Sequence, residues 1–289
     1  MKIAVCFFGI TRSTSFTIDS IRKSILIPSS ELGDVKVFCH FFNQRYIANS
    51  RSNESAELSA DEYKLLEPDQ VEFDEPELFI SQSDFEDVKK FGDIYNDDYS
   101  SIKNLFHQLY SLNKVTNMSL SWEPDVVIFA RPDLQYLDNL KDELESTLRK
   151  NDTVIKVPNW QNCGGINDRF AIISGRQAIE AYGKRYLKAL EYCKNKNKPI
   201  HSERLLKFAL SNKKIERIPH RAVRVRANGE NVHENFINYR VMDFHNLIVN
   251  TFNLSIDNKF LWSLAWKVHK IILLFSKRKV DIKENIHSE

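Results

Sequence analysis

Continuous apolar runs alternate along the chain with stretches whose apolar residues recur at helical spacing. The runs at residues 3–8, 35–42 and 126–130 are typical of strands buried on both faces of a sheet. The stretch 100–120 places its apolar residues on one helical face and predicts an amphipathic helix. Shorter segments continue the pattern, with strands expected at 152–157 and 170–173, helices at 176–194 and 202–212, and a strand region at 215–229. This alternation predicts an α/β fold with a mostly parallel sheet between layers of helices.

Two segments depart from the alternation. Residues 43–98 are polar and acidic, which predicts short helices and loops. Residues 259–279 are aromatic and basic and contain no acid, and lysines in their middle argue against a transmembrane helix. An amphipathic helix lying on an anionic membrane fits this segment, and so does a helix that packs on the domain or on a second subunit. We therefore expect a domain of residues 1–245 and a basic, amphipathic helical tail of residues 246–289.

Composition restricts the partners of the chain. Its 289 residues are 42% hydrophobic and 28% charged, with a net charge of only +2, so nucleic acid is not an expected partner. Cys6 and Cys39 lie inside apolar runs and are predicted to be buried core residues, and the four cysteines show no metal-type spacing. The N-terminal apolar run is too short for a secretory signal, so we expect a cytoplasmic protein.

Charged residues and a glycine follow two of the predicted strands. Gly9 and Arg12 come after the first strand, and Arg131 and Asp133 come after the strand at 126–130. Ligands bind outside the carboxyl ends of the strands in open α/β sheets. Glycine permits close approach of a ligand to the backbone, and arginine pairs with phosphate through its planar fork. The alternative for residues 9–12 is a plain turn.

The sequence Arg131-Pro132-Asp133 is the sharper signal. Proline fixes its own backbone and pushes Arg131 towards an extended conformation, so both charged side chains have defined directions. Asp133 could bind a divalent ion that carries a diphosphate, or a ribose, and Arg131 could pair with phosphate directly. The alternative is a self-contained ion pair between the two side chains.

Three further groups could take part in a site. Gly164 and Gly165 precede Asp168 and Arg169, a loop that could approach a sugar or phosphate or could simply form a hairpin turn. His201 and Glu203 begin a helix, where Glu203 could be a general base or only a favourable first-turn acid.

Later in the chain, Arg224 and Arg226 would lie on one strand face about 7 Å apart, either clamping a diphosphate or facing solvent. His233 and His245 could reach the same pocket, although most lone histidines are surface or core residues.

The order of these features resembles the layout of GT-A glycosyltransferases, and more closely the bacterial polysaccharide-type glycosyltransferases. The segments that carry the resemblance span most of residues 1–235; they are "KIAVCFFGITR", "VVIFARPDL", "NDRFAIISGRQAIEAYGKR", "SERLLKFAL" and "VRVRANG". The resemblance implies a nucleotide-sugar donor and a glycan or lipid-linked glycan acceptor in the assembly of capsule, O-antigen or another surface polysaccharide. The expected location is the inner face of the cytoplasmic membrane, reached through the tail.

The resemblance also assigns roles to the candidate residues. Glu203 would be the base of an inverting transfer. Donor contacts would come from Gly9, Arg12, Arg131, Asp133, Gly164, Gly165, Arg224 and Arg226. Acceptor contacts would come from Asp168, Arg169 and His201, and a metal would be held by Asp133 and His233.

One departure leaves metal dependence open. Arg131 stands at the first position of the usual Asp-x-Asp motif, so the family's Mn²⁺ or Mg²⁺ could be retained, or Arg131 could replace part of its charge. Two other functions remain open. One is another transferase on the same fold, for phosphate esters or phosphoramidates. The other is a non-catalytic protein that binds nucleotide sugars or glycans.

Overall fold

A computed structural model describes residues 1–49, 54–150 and 152–252, and within the tail residues 260, 261, 263, 264 and 266–268. The described residues divide into two compact units, Met1–Glu234 and the part from Asn235 onward. The second unit contains helix α10 (Tyr239–Phe252). Most of the helix predicted at 259–279 lies outside the described residues, and none of the described helices is long and apolar enough to cross a bilayer.

The first unit is built on a seven-stranded sheet. Its strands, in spatial order, are β10 (Glu216–Ile218), β8 (Ile155–Pro158), β9 (Ala171–Ser174), β6 (Val126–Ala130), β1 (Lys2–Gly9), β2 (Asp34–Phe42) and β5 (Gln70–Asp74). Strand β9 runs antiparallel to β6 and β8, and the other neighbouring pairs are parallel. The predicted fold class, an α/β fold with a mostly parallel sheet, is confirmed.

Helices cover both faces of this sheet. They are α1 (Thr14–Ile21), α2 (Ile27–Leu32), α3 (Pro76–Gln82), α4 (Phe85–Lys89), α5 (Ser100–Leu120), α6 (Lys141–Leu148), α7 (Arg176–Gly183), α8 (Ala189–Lys196) and α9 (Ser202–Ala209). Strand β1 is apolar throughout because its alternate residues pack against helices on opposite faces of the sheet. Val5 packs in one hydrophobic cluster with Ile18 of α1, while Cys6 packs in another with Val115 of α5. Both faces are therefore buried, and Cys6 and Cys39 are core residues as predicted.

The polar segment 43–98 contains more strand than its composition indicates. The edge strand β5 pairs with β2, and residues Tyr46–Asn49 (β3) and Glu54–Glu57 (β4) form an antiparallel hairpin. These strands are mostly exposed or half-buried, so they lack the apolar run that identifies a central strand. The hairpin matters for the site because Glu54, the first residue of β4, is buried.

A small second sheet brings two distant segments together. Strand β11 (Ala222–Arg224) pairs antiparallel with β7 (Leu134–Tyr136), and Arg224 lies opposite Leu134. The backbone N–H of Val225 donates to the carbonyl of Asp133 at 2.9 Å. This pairing places Arg224 beside the Arg131-Pro132-Asp133 turn.

Candidate functional site

The predicted site residues meet at one edge of the sheet. Arg12 and Asp133 follow the carboxyl ends of β1 and β6, which are parallel neighbours. Arg169 precedes β9, and the antiparallel direction of β9 brings its first residues to the carboxyl end of β6, where Ala171 lies opposite Phe129. Residues 168 and 169, which precede β9, therefore lie at the same edge of the sheet as the carboxyl ends of β1 and β6.

Asp133 is the centre of this arrangement. Its Oδ1 accepts a hydrogen bond from Nε of Arg131 at 2.9 Å, and its Oδ2 accepts from Arg131 and Arg12 at 2.8 Å each. Burial alone would raise the pKa of Asp133, but the two guanidinium groups hold that pKa well below its usual range. Arg131 and Asp133 therefore form an ion pair, and Arg12 joins them to form a triad of two arginines and one aspartate.

Neighbouring groups fix the turn that carries this ion pair. The backbone N–H of Arg131 donates to the hydroxyl of Tyr136 at 3.0 Å, and its guanidinium donates to Oε1 of Gln108 at 3.0 Å. The hydroxyl of Thr17 donates to the carbonyl of Pro132 at 2.5 Å. Pro132 fixes its own φ, so backbone and side chains together give Arg131 a single direction.

Glu54 joins the triad to a fourth side chain. Its Oε2 accepts from Arg12 and from Arg226 at 2.9 Å each, and its Oε1 accepts the backbone N–H of Ala227 at 2.9 Å. Glu54 is buried, so these charge-assisted bonds offset much of the cost of removing the carboxylate from water.

Glu234 pairs with two further arginines, but loosely. Its carboxylate lies 3.4 Å from the guanidinium groups of both Arg169 and Arg224. Burial and the positive charges of Arg169 and Arg131 lower the pKa of Arg224 to about 10. Burial is the largest cause of this shift, and the carboxylates of Glu234 and Asp133 act against it by raising the pKa of Arg224.

Asp168 links these groups to helix α9. It accepts a hydrogen bond from the hydroxyl of Ser202 and lies 3.5 Å from the fully buried guanidinium of Arg185. Burial would raise the pKa of Asp168, but Arg185 and then Arg169 lower it. Asp168 is therefore a bound anion inside the protein, which makes it a weak proton acceptor.

We call the whole set the arginine network. It consists of Arg12, Arg131, Arg169, Arg185, Arg224 and Arg226 with Glu54, Asp133, Asp168 and Glu234. Six guanidinium groups and four carboxylates leave an excess of two positive charges. The side chains of Arg224, Arg226 and Arg169 are 26%, 20% and 13% exposed, whereas those of Asp133 and Glu234 are 1% exposed. The solvent-exposed surface of the network therefore consists of guanidinium groups, and the buried carboxylates hold these groups in place.

The site does not fit a divalent metal. Both oxygens of Asp133 accept guanidinium N–H bonds, so an ion placed there would lie against two fixed positive charges. His233 is exposed, and no group of three potential metal ligands occurs among the described residues. The metal roles that the resemblance implies for Asp133 and His233 therefore have no counterpart in the geometry, and neither has a free Asp133 for a ribose.

Glu203 lies in the first turn of α9, one residue after Ser202. Its side chain is 14% exposed, and its Oε2 lies 3.1 Å from Nδ1 of His201. Burial and the Glu203 carboxylate together raise the pKa of Cys163 to about 11, so that thiol stays protonated at neutral pH. Glu203 is thus a partly exposed carboxylate on helix α9, the helix that Asp168 contacts through Ser202.

The glycines have different roles. A Cβ on Gly165 would lie 2.0 Å from the carbonyl oxygen of Glu203, so the close approach at this residue is to helix α9. Gly164 has a φ of +77° and packs against the guanidinium of Arg204. Gly9 has a φ of +103° with open space where a Cβ would be, and its contact to a ligand stays a prediction.

Other predicted residues are arranged differently from the expectation. Arg224 and Arg226 pair with separate carboxylates, Glu234 and Glu54, and their joint contact to a diphosphate stays a prediction. His245 is buried within the second unit, and its place in the pocket stays a prediction. Sequence reasoning missed Glu54, Glu234 and Arg185, since each acquires its role through ion pairs that no local pattern indicates.

Comparison with known proteins gives distant structural likenesses only. No protein-family profile matches the sequence, and no curated protein does. Mouse xyloside xylosyltransferase 1 in its apo form is similar with a TM-score of 0.41 at 10% identity, over 75% of this chain and 85% of that chain. An active-site mutant of LgtC is similar with a TM-score of 0.39 at 10% identity, over 74% of this chain and 71% of that chain. The galactosyltransferase LgtC in complex with donor and acceptor sugar analogs has a TM-score of 0.37 at 11% identity, over 73% and 70%. All three are glycosyltransferases, but at these scores the likeness is loose.

Proposed function

We propose that this chain is a glycosyltransferase that moves a sugar from a nucleotide-sugar donor to a hydroxyl group of a glycan acceptor. The observation that carries the proposal is the arginine network at the carboxyl ends of β1 and β6. Its excess of two positive charges faces solvent through Arg224, Arg226 and Arg169. A diphosphate supplies matching negative charge, and arginine forks match the geometry of phosphate oxygens.

The proposed reaction is a single displacement. The acceptor oxygen forms a bond to the anomeric carbon, and the bond from that carbon to the diphosphate oxygen breaks with its electron pair on the diphosphate. Glu203 takes the proton of the acceptor hydroxyl. Because the acceptor oxygen attacks the face opposite the leaving diphosphate, the configuration at the anomeric carbon is inverted. Negative charge grows on the leaving diphosphate, and guanidinium groups already fixed in place stabilise it without reorganisation.

Buried carboxylates hold the guanidinium groups of the network in place. Asp133 and Glu54 hold Arg131, Arg12 and Arg226 through bonds of 2.8–2.9 Å. The positive charge that a divalent ion would bring to the diphosphate is instead supplied by side chains, so the proposed reaction needs no metal. The acceptor is proposed to be a glycan or lipid-linked glycan of a bacterial surface polysaccharide, with the enzyme on the inner face of the cytoplasmic membrane.

Replacing Arg224 with glutamine should weaken the binding of a nucleoside diphosphate about 10- to 100-fold. The estimate follows from the loss of one hydrogen bond between charged groups, worth about 1.5–3 kcal/mol. Calorimetric titration with uridine, guanosine, cytidine and adenosine diphosphates would measure the change in affinity and identify the nucleobase of the donor.

Arg221→Gln is the matched control. Arg221 is close to Arg224 in sequence, but it is paired with Asp138 on the surface, outside the arginine network. The Arg221→Gln variant should bind the same diphosphate with the affinity of the wild-type protein. Equal affinity in the Arg224 and Arg221 variants would remove Arg224 from the donor site. Tight diphosphate binding without transfer to any acceptor would favour a non-catalytic binding protein.

A further inference from the structure

A cavity of about 590 Å³ lies against the outer face of α9. Its lining contains Lys196, Lys198, Arg204 and Lys207 together with the rings of Tyr192 and Phe208. None of these six residues belongs to the arginine network. We call this site the basic cavity.

Helical spacing explains why one face of α9 is basic. Arg204, Lys207 and Phe208 are three and four residues apart and so lie on the same side of the helix. Leu205 and Leu206 are completely buried on the other side. The cations are therefore free to line a cavity while the helix is anchored by its apolar face.

Within the part of the chain that the structure describes, the four cations of the basic cavity have no acidic partner. The lining contains no carboxylate, and no described carboxylate lies within ion-pair distance of any of the four. Lysines elsewhere on the surface do find partners, as Lys184 does with Glu180 and Lys90 with Asp87. Four unpaired cations around one cavity raise the local concentration of anions.

The aromatic residues give the basic cavity a second property. The rings of Tyr192 and Phe208 lie 5.7 Å apart between centroids, at 69° to each other. Tyr192 is buried, so its position is fixed, and Phe208 is half-buried beside it. Aromatic faces present apolar area with little conformational freedom to lose, which suits the C–H face of a sugar ring or an alkyl chain.

The basic cavity is next to the proposed base. Arg204 directly follows Glu203, and its Nε donates to the carbonyl of Cys163 at 3.4 Å. Gly164 lines the basic cavity and packs on the same guanidinium. The basic cavity and the proposed base therefore belong to the same helix and border the same loop at Cys163 and Gly164.

We propose that the basic cavity binds a phosphate group carried by the acceptor, either on its glycan or on its lipid carrier. The binding of the phosphate follows from the basic cavity itself, and only its assignment to the acceptor rests on the proposed function. The phosphate would lie among the cations, and the attached sugar or alkyl chain would pack on Tyr192 and Phe208.

The test is calorimetric titration with glucose 6-phosphate and with dodecyl phosphate below its micelle concentration. A nucleoside diphosphate is kept present to occupy the arginine network. Wild-type protein should bind at least one probe, and the double variant Arg204→Gln, Lys207→Gln should bind it at least about 10-fold more weakly. Preference for glucose 6-phosphate would indicate a phosphorylated glycan, and preference for dodecyl phosphate a lipid carrier.

The control is the double variant Lys188→Gln, Lys214→Gln, which removes the same charge outside the basic cavity and should bind the probes as the wild type does. Circular dichroism would confirm that both variants fold. Unchanged binding in the Arg204, Lys207 variant, or no binding of either probe to the wild type, would overturn the proposal. Nucleoside diphosphate binding should be unchanged in that variant, so failure at the basic cavity and failure of the proposed donor site are separate results.

Discussion

Replacing Asp133 with asparagine should lower the free energy of unfolding by about 3–5 kcal/mol, because it leaves two buried guanidinium groups without their shared anion. The side chain of Asp133 is 1% exposed and accepts bonds from Arg131 and Arg12 at 2.8–2.9 Å. Urea denaturation at pH 7 would measure the change. The matched control is Glu67→Gln, which removes an exposed carboxylate paired with Arg22 and should cost less than about 1 kcal/mol.

The same variant should change how stability depends on pH. The pKa of Asp133 is lower in the folded protein than in the unfolded chain, where it is about 3.9. The stabilisation is therefore fully present above about pH 5 and is lost as the pH falls through the folded value. The difference between wild type and Asp133→Asn should accordingly shrink in acid. An equal cost for the Asp133 and Glu67 variants at pH 7 would contradict the central position of Asp133.

Replacing Glu203 with glutamine should lower kcat for sugar transfer by about 10²–10⁴-fold, the usual contribution of a general base. Glutamine keeps the size of the side chain and its polar contacts but cannot accept the proton. Donor binding should be unchanged, since Glu203 is not part of the arginine network. Steady-state transfer kinetics with the donor identified by titration would measure kcat, and calorimetry would measure donor affinity.

Glu191→Gln is the matched control for Glu203. Glu191 is likewise a first-turn glutamate, on the neighbouring helix α8, but it is exposed. Its variant should transfer sugar as fast as wild type. A Glu203 variant that keeps kcat within about twofold would remove Glu203 from the role of base and leave it as a helix-capping charge.

The sheet was largely predictable because each central strand has its own pattern of apolar residues in the sequence. Residues 3–8 and 126–130 are buried on both faces, and burial on both faces leaves a continuous apolar run in the sequence. Helix α5 was predictable for the same reason, since its apolar residues recur on one face over 21 residues. The edge strand β5 was not, because a half-exposed strand does not require apolar residues.

The position of the site was also predictable, but not its internal pairing. The rule that ligands bind at the carboxyl ends of strands was enough to single out Arg12, Arg131 and Asp133. The bond from Arg226 to Glu54 joins residues 172 positions apart, and nothing near either residue indicates it. The role of Gly165 was not predictable either. Glycine is needed there because the backbone of Glu203 packs against it, and no sequence pattern identifies that contact.

The charge of the arginine network determines how the resemblance to GT-A glycosyltransferases should be understood. In the usual motif two aspartates and a metal ion form the contact to the diphosphate. If Arg131-Pro132-Asp133 stands at this motif, as the resemblance implies, Arg131 takes the place of the first aspartate, and Asp133 is bonded to Arg131 and Arg12. The outcome is a site whose solvent-facing groups are already positive, so a metal would add charge where guanidinium groups supply it.

The most direct test of this account is the affinity of the wild-type protein for its nucleoside diphosphate in EDTA and in Mn²⁺ or Mg²⁺. Calorimetric titration would give the dissociation constant under each condition. If the arginine network binds the diphosphate, the constants should agree within about twofold, because guanidinium groups supply the positive charge. Binding that disappears in EDTA and returns with Mn²⁺ would contradict the account.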